Sequence, residues 1–392
     1  MNGTPAALAE SVMAVPQSRI RELSDIAMSM DGVLKLYFGE SNQPTPRYIK
    51  DAAIDAINQG FTFYAENAGF RSLRRAIADK YAAIHGIGLD PERHIVVSAS
   101  GVQAMNLVMR CLLDPGDEAV ILTPAWPNTT GIAALCSARA VQVPYALRGN
   151  CYGIDFAAVE SSITPATRAI VYTSPSNPLG WVATEMEQER LVEICRGRGL
   201  WLVADEVYER LYYDGPVAPT VLHKCGREDH VVVVQSFSKS YCMTGWRLGW
   251  LVANSELARK AAQVNEYVVS HAPSMLQKAA ETALHKGEEE IRVMVARLRE
   301  NRDYVASVLQ QLPGVTVPQP RGAFYFFLRI QGLRDSFEFC RRLLVQEKVG
   351  VAPGIAFGAG GEGSIRICFA ADRAVLEPAL ERIDRFIRNA PR

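Results

Sequence analysis

From about residue 51 onward the sequence repeats one texture: a helix-patterned segment, then a short apolar run rich in β-branched residues. The runs fall at 95–97, 119–122, 169–172, 200–204, 231–234 and 248–252. A run of three to five apolar residues between turn signals has no polar face to offer water. It is therefore read as a parallel strand buried on both faces, with the intervening helices as its cover. This texture predicts a large α/β domain of parallel strands covered by helices.

After residue 255 helical patterning dominates, with a long amphipathic stretch at about 288–311 that stops at Leu312-Pro313-Gly314. Beyond it the texture changes: 323–328 and 364–369 read as strands, and 336–346 and 374–387 as helices. A smaller α+β domain is expected. The boundaries are placed at residues 46–285 for the large domain, with 1–45 and 286–392 forming the small domain and its N-terminal segment. With 392 residues, 48% of them apolar, the chain can bury cores for both.

Charge and cysteine usage narrow the function classes. Lys plus Arg equals Asp plus Glu at 42 each, so there is no cationic excess to neutralise a nucleic-acid backbone. The eight cysteines are scattered singly, and the N-terminus has no basic flank followed by an apolar stretch. No apolar run approaches the ~20 residues needed to span a bilayer. A cytoplasmic setting is expected, without nucleic-acid or membrane partners.

Candidate chemistry collects at the ends of the apolar runs, where open α/β sheets place their ligands. The run at 231–234 leads into Ser236-Phe237-Ser238-Lys239, followed by Met243-Thr244-Gly245-Trp246-Arg247. A lysine there can condense with an aldehyde, and two hydroxyls with an arginine can hold a phosphate. That combination points to pyridoxal 5'-phosphate (PLP). The run at 200–204 ends in Asp205-Glu206-Val207-Tyr208, and a carboxylate at that edge can keep a pyridine nitrogen protonated. The run at 169–172 leads into Ser174-Pro175-Ser176-Asn177-Pro178-Leu179-Gly180, whose Asn177 can donate to a phenolate oxygen beside Tyr208. Ser98-Ala99-Ser100-Gly101-Val102 opens a helix whose N–H groups suit a phosphate.

In this order and approximate spacing, the S-x-S-K…M-T-G-W-R, S-P-x-N-P-x-G and D-E-V-Y segments resemble class I/II aminotransferases of PLP fold type I, the aspartate aminotransferase superfamily. The resemblance runs nearly end to end, and it implies a mostly parallel sheet of seven strands between helices in the large domain. It implies that Lys239 bonds the cofactor and shuttles the substrate proton, that Asp205 pairs with the ring nitrogen, and that Tyr208 and Asn177 bind its phenolate oxygen. Gly101, Val102, Ser236, Ser238 and Arg247 would hold the phosphate, and Trp126 would stack on the ring. Tyr64 would reach the phosphate of a neighbouring subunit, which makes the active unit a homodimer. Arg366 would grip the substrate carboxylate alongside Gly39, with Asn177 and Trp126 bordering the substrate, and residues 18–21 would line the side-chain pocket.

The expected reaction is ping-pong amino transfer from an L-amino acid to a 2-oxo acid. A carbon–sulfur β-lyase of the same fold and a non-catalytic PLP-sensing regulator are the alternatives. The regulator would need a DNA-binding module, for which the roughly forty residues before Gly39 are too few. Two motifs are set aside. Gly358-Ala359-Gly360-Gly361-Glu362-Gly363 has dinucleotide-binding spacing but precedes a strand instead of opening a helix. His223, Cys225 and His230 lack paired metal-ligand spacing, so no metal is expected.

Overall fold

The structure, a computed structural model, describes residues 7–389. Residues 1–6 and 390–392, which the expected small domain includes, lie outside the described residues. The main sheet has seven strands, in the spatial order Ile95–Ser98, Gly249–Val252, Val231–Ser236, Trp201–Asp205, Thr167–Thr173, Glu118–Thr123 and Arg139–Pro144. Alternate residues of each strand feed opposite cores. Val96, Ile121, Val171, Val203 and Val232 pack beneath Gly101–Leu112 and Ser255–Glu266. Val97, Val120, Ile170, Leu202 and Val233 face the other layer, with Ile77, Tyr81 and Leu191 among its helical residues. Both faces are dry, which is why these strands read as continuous apolar runs.

The sequence reading is corrected at one strand. Gly249–Val252 was expected to be parallel like the rest, yet it pairs antiparallel with both Val231–Ser236 and Ile95–Ser98. A parallel return needs a crossover that carries the chain back along the whole strand. Here the connecting residues stay at the carboxyl edge, holding only the short turns Phe237–Ser240 and Thr244–Trp246. The chain can only turn back, and this keeps the polar residues of that segment at the sheet edge. The strand Arg139–Pro144, not singled out from the sequence, forms the far edge and is exposed at both ends.

The remaining chain builds a four-stranded antiparallel sheet, ordered Val315–Thr316, Tyr325–Ile330, Ser364–Cys368 and Ala352–Pro353. The helices Glu288–Leu309, Ser336–Glu347 and Arg373–Asn389 accompany it, close to the predicted bounds. The strand expected from 323 begins at Tyr325, because Ala323 turns with φ 55°. The N-terminal segment is tied here as well, with Leu34–Lys35 pairing parallel to Val349–Gly350. The glycine-rich stretch 358–363 is a loop leading into a strand.

Candidate functional site

A cavity of about 720 Å³ opens at the carboxyl edge of the main sheet. Gly39, Gly101, Val102, Trp126, Asn177, Asp205, Tyr208, Ser236, Ser238, Lys239 and Arg247, all proposed from the sequence, line it together. Ser18, Ile20 and Arg21 line it too, in the segment expected to face a side chain. Strand geometry explains the convergence: Val231–Ser236, Trp201–Asp205 and Thr167–Thr173 run parallel, so their final residues emerge side by side.

The Lys239 amine donates to Gly39 O at 2.5 Å and lies 5.5 Å from the centre of the Tyr208 ring. Burial lowers its pKa to about 8, so a sizeable share of the amine is neutral near physiological pH. The Asp205 carboxyl is pushed up to about 6, also by burial, against a backbone N–H from Val207 at 3.3 Å and the nearby Lys239 charge. It forms no ion pair among the described residues. Such a carboxyl is ready to meet a cation that enters the cavity.

The Tyr208 hydroxyl is 2.7 Å from that of Tyr325, and burial raises the pKa values of both phenols. Arg366 is fully buried, one layer behind the cavity wall. It donates to Asn177 Oδ1 at 2.9 Å and to the Tyr37 carbonyl, while its Nε has no partner. The aromatic faces of Tyr325 and Phe357 lie 4.6 and 4.9 Å from its guanidinium carbon. No carboxylate pairs with it among the described residues, which excludes the structural ion pair that a buried arginine usually implies. Because a guanidinium can only donate, Asn177 Oδ1 is its acceptor and the amide N–H₂ is left for the cavity.

Opposite Lys239, the helix Gly101–Leu112 points its N-terminus at the cavity. Ser100 caps it, accepting from Gln103 N–H at 3.1 Å. No described hydrogen bond uses the N–H of Gly101 or Val102. The Ser236 and Ser238 hydroxyls are 2.9 Å apart, and Arg247 Nη1 is held by Thr244 O at 2.6 Å. Free N–H groups, hydroxyls and a guanidinium around one spot form a site for a phosphate-like anion. Gly249 makes this possible, since a side chain there would collide with Gly101 N and Ser100 C.

Tyr64 is not brought to this cavity. It is 92% exposed and packs edge-on to His271 at 5.8 Å. Several contributors escaped the sequence reading, Thr244 and Tyr325 among them. Thr244 lines the cavity and donates to Glu40 Oε2 at 3.1 Å; it stood inside a quoted motif. Tyr325, the partner of Tyr208, sits in an unbroken buried aromatic run, Phe324 to Phe327, where nothing marks one ring as special. Among the described residues no group of His, Cys, Asp or Glu could hold a metal ion, and no helix is long and apolar enough to cross a membrane.

The chain is similar to known aminotransferases in sequence and in fold. Residues 32–383 match the family described as aminotransferase class I and II. The chain is 33% identical over 386 residues to an aspartate aminotransferase of Pyrococcus horikoshii, covering 97% of each. It is 32% identical over 387 residues to the aromatic-amino-acid aminotransferase 2 of Thermococcus litoralis, covering 98% of this chain and 99% of that one. Among solved structures, one described as Pyrococcus protein-A1 superposes with a TM-score of 0.93 at 33% identity, over 97% of this chain and 99% of the other.

Proposed function

The chain belongs to the class I and II aminotransferases and has their fold-type-I architecture, and from that premise we propose that it holds PLP on Lys239 and moves amino groups between L-amino acids and 2-oxo acids by a ping-pong mechanism. One observation carries the reading. A reactive amine and a carboxyl without a cation line one cavity, and an arginine without an anion stands directly behind its wall, hydrogen-bonded to the lining residue Asn177. The residues fit the cofactor: Asp205 for a pyridinium nitrogen, Tyr208 and the Asn177 amide for a phenolate oxygen, and Trp126 for a ring face. The free N–H groups of Gly101 and Val102 suit its phosphate, with Ser236, Ser238 and Arg247.

When bound, PLP supplies an electron sink that stabilises negative charge at the substrate Cα. The chain does the rest. Lys239 takes the proton from Cα and returns it, a role its lowered pKa favours. Asp205 keeps its charge beneath the ring nitrogen. Arg366 holds the substrate α-carboxylate as a planar fork, with Asn177 and the Gly39 backbone beside it. The part of the lining formed by Ser18, Ile20, Arg21, Val102, Met105 and Ile132 receives the side chain. Its apolar patch and single cation suit donors of the two kinds named for the relatives, acidic and aromatic.

We further propose a homodimer in which Tyr64 completes the neighbouring subunit's phosphate site, which accords with its exposure. The division at residues 45 and 285 is offered as the hinge between a fixed large domain and a small domain that closes on substrate. A cytoplasmic location accords with eight free cysteines. The test is to load the purified protein with PLP, reduce with borohydride and map the adduct, which should fall on Lys239. A panel of amino acids should then convert the bound cofactor to its amine form stoichiometrically. Steady release of pyruvate and ammonia instead would overturn transamination.

A further inference from the structure

Next to Tyr208 in the chain, outside the cavity lining, lies a second cluster of charges that the reaction does not use. Glu209 is buried and accepts from Lys80 Nζ and, at 3.2 Å, from His85 Nε2. Lys80 is buried as well, and lies 5.0 and 5.2 Å from the centres of the Trp250 and Tyr81 rings. Burial works to raise the Glu209 pKa, but the Lys80 charge and the His85 contact outweigh it and hold it at about 2. Glu206, Arg210, Tyr81, Tyr241 and Glu288 complete the charged and titratable surroundings.

A buried ion pair is a poor device for stability, since a well-packed apolar pair of the same size serves as well or better. Position is what it can supply. Glu209 directly follows Tyr208 in a hydrogen-bonded turn: Glu209 N–H donates to Glu206 O at 2.9 Å, Leu211 N–H to Tyr208 O at 2.8 Å, and Ala218 N–H to Glu209 O at 2.8 Å. Helix Arg71–His85 supplies both donors to the Glu209 side chain, so the turn is pinned from outside its own strand.

We propose that Glu209, clamped by Lys80 and His85, is a positioning residue that sets the Tyr208 hydroxyl against the ligand in the cavity. The inference rests on the reading that the cavity binds PLP beside Tyr208. The readout is the pH midpoint of the visible absorbance of the bound cofactor, which reports its contact with the phenol independently of turnover. Tyr208→Phe should move that midpoint upward. Lys80→Met with Glu209→Leu, which removes both charges together, should fold and move it upward by about half a pH unit or more. Added to Tyr208→Phe, the pair should add almost nothing, because both act through one hydroxyl. An unchanged midpoint in the folded pair variant overturns the proposal, as does an equal shift with Phe at 208. Should the pair variant not fold, Lys80→Arg keeps both charges while moving the donor; a smaller shift in the same direction supports the proposal, and none overturns it. A wild-type protein that takes up no PLP removes the underlying reading instead, and this inference with it.

Discussion

The turn from Asp205 to Glu209 faces two regions that treat charge in opposite ways. On the cavity side, Asp205 has no cation and Arg366, deeper in, has no anion among the described residues. On the interior side, Glu209 is held by Lys80 and His85, and Arg210 makes a two-pronged pair with Glu288 at 2.6 and 2.7 Å. Glu206, which has no cation in contact among the described residues, is pushed up to about 8 by burial and accepts from Val221 N–H instead. The interior therefore balances its charges, whereas the cavity leaves them open for a ligand. Leaving a buried charge unmatched costs several kcal/mol, so unmatched charges in and directly behind one cavity wall mark where binding recovers the cost.

Three substitutions separate the two regions. Lys239→Ala should cut amino transfer by more than about 10³-fold, as loss of the proton-transfer group demands, while the urea midpoint of the cofactor-free protein stays within error. A large drop in that midpoint would move Lys239 to the structural side. Lys80→Met should do the reverse, destabilising the cofactor-free protein by about 3 kcal/mol because Glu209 is left buried without its cation; equilibrium urea unfolding measures this. Arg366→Met should leave stability unchanged or improved, since no protein anion loses a partner, yet raise KM for every amino donor by about 10–100-fold through loss of a charge-assisted contact. A fall in stability as large as that of Lys80→Met would erase the distinction.

The smallest effect concerns pH. The Asp205 pKa is raised in the cofactor-free protein, so its carboxylate is present above about pH 6 and lost below it. Affinity for PLP should therefore hold above pH 6 and weaken by about tenfold per unit as pH falls beneath it. Fluorescence titration from pH 7.5 to 5 reads this, and Asp205→Asn should bind weakly at every pH with a flatter profile.

The cavity region was largely legible in the sequence and the interior region was not. Lys239, Asp205, Asn177 and the Ser236 to Arg247 segment follow apolar runs whose ends must meet at one sheet edge, so their convergence could be derived. Lys80 and Glu209 carry no such signal. They are 129 positions apart, and each alone reads as an ordinary surface charge. The direction of Gly249–Val252 was hidden for a related reason: a strand dry on both faces shows the same run of apolar residues whichever way it points. The partial lining role of the N-terminal segment came from family resemblance alone.

Gly39 lends the Lys239 amine a carbonyl, and the space its missing side chain would fill is occupied by the Tyr325 hydroxyl, which in turn touches Tyr208. For anyone redesigning donor preference through the first forty residues, this position is the fixed point. Even an alanine there would displace the Tyr325 phenol that touches Tyr208, so under the proposed assignment of Ser18, Ile20 and Arg21 to the substrate pocket library diversity belongs at those positions.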